Sequence, residues 1–174
     1  MNIGIDKFGL AIPEFFLDIR DLAVARNENA NKFLKGLLQL EMSVSPVTQD
    51  IVTLGATAAH EFLTEEDKKK IDMVIIGTET GVDQSKSASV FIHNLLGIQP
   101  FARCIEIKEA CYGATAGLDF AKKHIENNPD SYVLLIASDI AKYGIGTSGE
   151  STQGSGSCAM LIKKDPNVLT LNND

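Results

Sequence analysis

The feature that most constrains the fold is a regular alternation of short apolar runs with amphipathic segments of helical length. Residues 73–77 and 133–137 are continuous apolar runs bounded by polar residues, which is typical of strands buried on both faces of a parallel sheet. Other segments place apolar residues at helical spacing, as in Ile51, Leu54, Ala58 and Phe62. This order predicts an α/β fold with βαβ units, right-handed crossovers and a central mixed sheet covered by helices.

The same patterns give approximate bounds for each element. Strands are predicted over residues 2–12, 73–77, 102–107, 133–137 and 157–163. Helices are predicted over residues 18–26, 31–38, 48–63, 86–96 and 111–127, with a further helix start at Thr64. A polar, Gly-rich loop is predicted over residues 144–156. The 174 residues are enough for one domain with a sizeable core.

Charge and hydropathy exclude two classes of partner. Lys and Arg number 16 against 23 Asp and Glu, for a net charge of −7, so the chain has no broad positive field for nucleic acid. The longest apolar runs are strand-sized, and the start of the sequence lacks the pattern of a signal peptide. We therefore expect neither nucleic-acid binding nor membrane association.

The three cysteines, Cys104, Cys111 and Cys158, show no CxxC spacing. This sparse, odd set argues against a disulfide framework and a structural zinc site, and it fits a reducing cytoplasm. The histidines fall on predicted helices, and we interpret them as structural or surface residues rather than ligands: His60, His93 and His124. We therefore expect no bound metal.

One cysteine stands at a predicted helix start. Cys111 follows a strand and opens the predicted helix 111–127, where unpaired N–H groups and the helix dipole favour a thiolate nucleophile. The alternative is a small buried hydrophobic residue, and this interpretation suits Cys104 and Cys158 because both lie within predicted strands. The helix itself is small and apolar nearly all round, which predicts that a further layer covers it.

One carboxylate stands at a strand end. Glu79 directly follows the apolar strand that ends at Gly77, and function in such sheets concentrates at the carboxyl ends of strands. Partial desolvation there would suit proton transfer, although a solvated loop glutamate is the alternative. The Gly-rich loop lacks a Walker motif, and both close backbone approach to a ligand and a flexible hairpin remain open for it.

Several motifs together resemble one family. Residues 109–115 (Glu-Ala-Cys-Tyr-Gly-Ala-Thr), with Glu79 on an earlier strand end and Tyr143 before the Gly-rich loop, resemble bacterial-type hydroxymethylglutaryl-CoA synthases, as do residues 44–50 and 93–103. The resemblance implies a thiolase-like fold of two similar halves in a five-layer αβαβα arrangement. Residues 1–174 would be the N-terminal half, with the C-terminal half absent from this chain, and the enzyme would be a homodimer.

The resemblance also implies a reaction. Cys111 would carry the acetyl group of acetyl-CoA as a thioester, Glu79 would act as general acid/base, and Tyr143 and Thr152 would line the substrate pocket. This acyltransferase would condense acetyl-CoA with acetoacetyl-CoA, without a further cofactor, in the mevalonate pathway to isoprenoids. The family also uses a histidine from the second half, so we expect this chain alone to be inactive.

Two departures from the family and two alternatives accompany this prediction. Ser151 stands where the family often has Pro, and Lys142 where it often has Arg, which affects fine loop geometry. A ketoacyl synthase or thiolase would share the fold and the cysteine but not Glu79 at that strand end. A non-catalytic fragment that binds CoA or dimerises is the alternative of a different class.

Overall fold

The computed structural model describes residues 1–172. Its strands are β1 (Ile3–Ala11), β2 (Phe15–Asp18), β3 (Glu41–Val44), β4 (Ile71–Gly77), β5 (Arg103–Ile107), β6 (Tyr132–Ala141), β7 (Gly154–Lys164) and β8 (Leu169–Thr170). Its α-helices are α1 (Ile19–Ala25), α2 (Ala30–Leu34), α3 (Ile51–His60), α4 (Glu65–Lys70), α5 (Ala88–Leu96) and α6 (Gly113–Asn127). Two 3₁₀ turns span Ala110–Tyr112 and Glu150–Thr152.

The central sheet has six strands in the order β5-β4-β6-β7-β1-β8. Strand β4 runs parallel to both β5 and β6, whereas β7 runs antiparallel to β6 and β1. The predicted mixed sheet is therefore confirmed. Helices α3 and α5 cover one face of this sheet and α6 lies on the other. The six-stranded sheet therefore has a helical layer on each side.

Strand β4 shows why the apolar runs are continuous. Val74 and Ile76 belong to the core shared with α3 and α5, whereas Met73 and Ile75 belong to the core shared with α6. Successive side chains point to opposite faces, so both sets must be apolar. Gly117 brings α6 close to the sheet, because a Cβ there would lie 2.5 Å from a methyl group of Leu135.

A small unit near the N-terminus was only partly predicted. Strands β2 and β3 form a separate two-stranded antiparallel sheet, and the sequence analysis missed both. Each has four residues, and their large apolar side chains are mostly exposed, so neither gives a strand-like run. Helix α2 ends at Leu34, earlier than predicted, and Leu38 beyond it adopts a positive φ of 54°.

The predicted helix 111–127 needs two corrections. Helix α6 begins at Gly113, and Cys111 lies in the preceding 3₁₀ turn, where Ala110 has a positive φ of 44°. The helix is also not apolar all round. Only one face is buried against the sheet, and the other carries an exposed Asp119–Lys123 ion pair. Phe120 is 57% exposed on the outer side. Among residues 1–172, no helix combines the length and apolar character that a bilayer crossing requires.

Candidate active site

The carboxyl ends of β4 and β5 meet the start of α6 at very close range. The backbone N–H of Thr78 donates to the carbonyl of Ile107 at 3.1 Å. A Cβ on Gly77 would lie 2.3 Å from the amide nitrogen of Ala114, and one on Gly113 would lie 2.9 Å from the Ile107 carbonyl. Only glycine allows this contact, so the residues directly after β4 and directly before α6 come to the same edge of the sheet.

Two predicted site residues are joined by a hydrogen bond at this edge. The Tyr143 hydroxyl donates to Oε1 of Glu79 at 2.7 Å. This bond is the main reason that the pKa of Tyr143 is raised, followed by burial and by the negative charge of Glu79. Cys111 comes to the same edge because Gly113, two residues later, contacts Gly77, two residues before Glu79. The structure brings these three predicted residues to one edge of the sheet, but Glu79 is exposed there, so the partial desolvation predicted for it is wrong.

The accessibility of the three thiols differs. Cys111 is exposed, whereas Cys104 and Cys158 are partly buried in strands β5 and β7. Burial raises the pKa of both Cys104 and Cys158 because desolvation disfavours the thiolate. Of the three, Cys111 is thus the thiol that a large substrate can reach, and it lies directly before helix α6.

The sequence analysis missed Asp139, which holds the loop that carries Glu79. Its Oδ1 accepts hydrogen bonds from the hydroxyls of Thr78 and Thr80, at 2.7 and 2.8 Å, and from the backbone N–H groups of Glu79 and Thr80, at 2.8 and 3.1 Å. Asp139 follows the apolar run of β6, which is the parallel neighbour of β4. A polar residue at that position was the signal that could have found it.

We expect Asp139→Ala to lower the free energy of unfolding by about 2 kcal/mol. The substitution removes the carboxylate and leaves the hydroxyl and N–H groups that donate to it without an acceptor. Urea unfolding followed by circular dichroism measures the change. Asp130→Ala is the matched control, since Asp130 is exposed in the turn before β6. Equal stability of the two variants would contradict the anchoring role of Asp139.

The Gly-rich loop is ordered by two side chains. The backbone N–H groups of Tyr143 and Gly144 donate to Oε1 of Gln153, at 2.8 and 3.0 Å. Glu150 accepts from Nε and Nη2 of Arg26, at 2.7 and 2.6 Å, and from the N–H of Gly146 at 2.8 Å. These hydrogen bonds connect the loop with Tyr143 at one end and with Arg26 of the N-terminal unit.

Glu150 should contribute pH-dependent stability. The hydrogen bonds from Arg26 are the largest cause of its pKa falling from an ordinary 4.5 to about 2. Because the folded value lies below the unfolded one, the contribution is complete above pH 4.5 and is lost as the pH falls through about 2. We expect the stability gap between wild type and Glu150→Gln, measured by urea unfolding, to be widest at neutral pH and to shrink progressively below pH 4.5. A gap that stays constant with pH would contradict this assignment.

A cavity of about 580 Å³ separates this loop from the small N-terminal unit. Its walls include Arg26, Lys32 and Phe33 on one side and Thr147 and Thr152 on the other. Thr152 thus lies at the cavity, whereas Tyr143 on the same loop contacts Glu79. Of the two residues predicted to line the substrate pocket, Thr152 therefore lines the cavity and Tyr143 contacts the carboxylate of Glu79.

The histidines lie in other contacts. Nε2 of His93 is 2.9 Å from the Gln99 carbonyl, and Nε2 of His124 is 2.9 Å from Oδ1 of Asp72. His60 is exposed at the end of α3. Within the described residues 1–172, His, Cys, Asp and Glu side chains do not form a group of three or more that could hold a metal ion.

Comparison with known proteins decides the family. The profile described as the N-terminal part of hydroxymethylglutaryl-coenzyme A synthase matches residues 1–167. The chain belongs to the hydroxymethylglutaryl-CoA synthase family. This confirms the family predicted from the motifs around Glu79 and Cys111.

Individual members of the family support this assignment. The hydroxymethylglutaryl-CoA synthase of Enterococcus faecalis is 55% identical over the whole of this chain, which covers 45% of that protein. A crystal structure described as an HMG-CoA synthase complexed with CoA is 61% identical with a TM-score of 0.97, over 99% of this chain and 45% of that one. MvaS in complex with 3-hydroxy-3-methylglutaryl coenzyme A is 37% identical with a TM-score of 0.93, over 99% of this chain and 42% of that one.

These matches confirm the thiolase-like fold of the N-terminal half. The chain spans less than half the length of the synthases it matches.

Proposed function

We propose that this chain carries the acylation and proton-transfer site of a synthase that condenses acetyl-CoA with acetoacetyl-CoA to give 3-hydroxy-3-methylglutaryl-CoA. The observation that carries the proposal is that an exposed thiol, Cys111, and the hydrogen-bonded pair of Glu79 and Tyr143 lie at the sheet edge where Gly77 meets Gly113. A nucleophile for a thioester and a base for a carbon acid are the two groups that this reaction needs.

The first step is acyl transfer to Cys111. The Cys111 thiol gives up its proton as its sulfur attacks the carbonyl carbon of acetyl-CoA. The bond from that carbon to the CoA sulfur breaks, and CoA leaves as a thiol that carries this proton. The start of α6 lies directly beyond Cys111, and helix N–H groups there stabilise negative charge near the reacting atoms. The product is an acetyl thioester on the enzyme.

The second step forms the carbon–carbon bond. Glu79 removes a proton from the methyl group of acetyl-Cys111, and the resulting enolate adds to the ketone carbon of acetoacetyl-CoA. The ketone oxygen takes up one proton and Glu79 gives one up, so the number of protons is unchanged. Water then hydrolyses the enzyme thioester and releases the product. Asp139 accepts from the backbone N–H of Glu79 and Tyr143 donates to Oε1, and we assign the proton transfer to Oε2.

The cavity beside the Gly-rich loop is a suitable place for the CoA portion of the substrate. It is about 580 Å³ in volume, and its lining combines two ion pairs, Arg26–Glu150 and Lys32–Glu28, with apolar side chains. Thr152 lies at its boundary with the loop that leads to Tyr143. The loop hydroxyls of Thr147 and Ser148 can hydrogen-bond the carrier, whereas the apolar lining suits its hydrocarbon parts.

Three further properties belong to the same proposal. The enzyme would act in the cytoplasm, which the free thiols of Cys104, Cys111 and Cys158 support. It would be a homodimer in the mevalonate pathway of isoprenoid biosynthesis. It would need no cofactor beyond its CoA thioesters, because the thiolate and the carboxylate supply the nucleophile and the base.

The direct test compares two proteins: this chain alone, and a full-length synthase that carries this sequence as its N-terminal half. Incubated with acetyl-CoA and acetoacetyl-CoA, the full-length synthase should form 3-hydroxy-3-methylglutaryl-CoA, detected by liquid chromatography with mass spectrometry. This chain alone should not, because the family needs a histidine from the second half. Condensation by the pure chain, or none by the full-length synthase, would overturn the proposal; binding of CoA without acyl transfer would favour a non-catalytic fragment.

A further inference from the structure

A bidentate ion pair connects the end of helix α1 with the Gly-rich loop. Arg26 donates from Nε and Nη2 to the two oxygens of Glu150, at 2.7 and 2.6 Å. The Glu150 side chain is only 8% exposed and that of Arg26 34%. The planar guanidinium matches a carboxylate in this geometry, and lysine cannot reproduce both bonds. The pair is therefore a directional link rather than a surface contact.

The link spans the cavity assigned above to the CoA portion. Helices α1 and α2 supply one wall, which includes Leu22 and Phe33, and the loop supplies the other, which includes Thr152. Arg26 and Glu150 come from opposite walls, 124 positions apart in the sequence. A change in their separation would change the width of the cavity.

The loop also leads to the reacting groups. Gln153, at its far end, accepts from the N–H of Tyr143, and a Cβ on Gly149 would lie 2.8 Å from that of Tyr143. Tyr143 in turn donates to Glu79. The hydrogen bonds of the ion pair, by contrast, stay within the pair and the backbone of Ala25 and Gly146.

We propose that Arg26 and Glu150 are positioning residues that set the spacing of the two cavity walls and thereby the affinity for the acyl-CoA substrate. The inference rests on the proposed function, because it assigns the cavity to the CoA portion. The pair binds neither Cys111 nor Glu79, so its loss should weaken substrate binding much more than it slows the chemical steps.

Charge reversal in the full-length synthase tests this role. Arg26→Glu and Glu150→Arg should each raise the KM for acetyl-CoA by about tenfold or more while kcat changes less than about threefold. The double reversal restores an ion pair, so its KM should return to within about threefold of wild type. Arg20→Glu is the matched control on the same helix, because Arg20 pairs with Asp18 on the surface, and it should behave as wild type.

Three results would overturn the inference. The first is a wild-type KM for acetyl-CoA in a folded single variant. The second is a raised KM that stays raised in the double variant, and the third is a fall in kcat with an unchanged KM. If circular dichroism shows that the charge-reversal variants do not fold, Arg26→Lys is the substitute, because it keeps the positive charge but not the two parallel hydrogen bonds of the guanidinium. A raised KM in this variant supports the positioning role, and a wild-type KM overturns it. A wild-type synthase that forms no product would instead overturn the proposed function, which the product assay detects separately.

Discussion

Cys111→Ala should abolish acyl transfer in the full-length synthase. The variant removes the only proposed acceptor for the acetyl group, so intact-mass spectrometry after mixing with acetyl-CoA should show no acetyl adduct. Overall condensation should fall by at least about a thousandfold, as expected when a covalent nucleophile is removed. Wild-type synthase should gain one acetyl group under the same conditions.

Cys158→Ala is the control for this experiment. Cys158 is partly buried in β7, and burial raises the pKa of its thiol, so we expect the variant to be acetylated as wild type is. Digestion of the wild-type adduct should place the acetyl group on the peptide that contains Cys111. An adduct that survives in Cys111→Ala, or that maps to Cys158, would remove the basis of the proposed mechanism.

Glu79→Ala should separate the two halves of the reaction. Acetylation of Cys111 should continue, because Glu79 is not the nucleophile, but condensation should fall by roughly 10²- to 10⁴-fold with the loss of a general base. Rapid-quench analysis should therefore find the acetyl-enzyme accumulated and little product. Glu109→Ala is a suitable control. Glu109 is an exposed glutamate directly before the 3₁₀ turn that carries Cys111, and it has no proposed role.

Tyr143→Phe refines the interpretation of that result. It removes the hydroxyl that donates to Oε1 of Glu79 but leaves the carboxylate in place, so its effect should be smaller than that of Glu79→Ala. If Glu79→Ala instead prevented acetylation itself, the role of Glu79 as the base for carbon–carbon bond formation would be wrong.

The buried strands were predictable because burial on both faces leaves a continuous apolar run, as in Met73–Ile76 of β4 and residues 133–136 of β6. The start of α3 was predicted only approximately, although Asp50 and Thr53 form a capping box there. Strands β2 and β3 were missed because exposed residues such as Phe15 and Phe16 do not show the alternation of a half-buried strand.

The site was predictable in part for a similar reason. Glu79 and Cys111 stand at visible boundaries, where an apolar strand ends or a helix is about to begin. The positive φ of Ala110 was not predictable, because non-glycine residues rarely adopt this conformation. The pairing of Arg26 with Glu150 likewise depends on a contact between residues 124 positions apart.

The central claim, that Glu79 faces the acetyl group on Cys111, is tested most directly by hydrogen exchange at the acetyl methyl. The acetyl-enzyme is held in deuterated water without acetoacetyl-CoA, and the peptide containing Cys111 is then analysed by mass spectrometry. We expect deuterium to enter the acetyl group in wild type and to enter far more slowly in Glu79→Ala. Equal rates of incorporation in the two proteins would contradict the account.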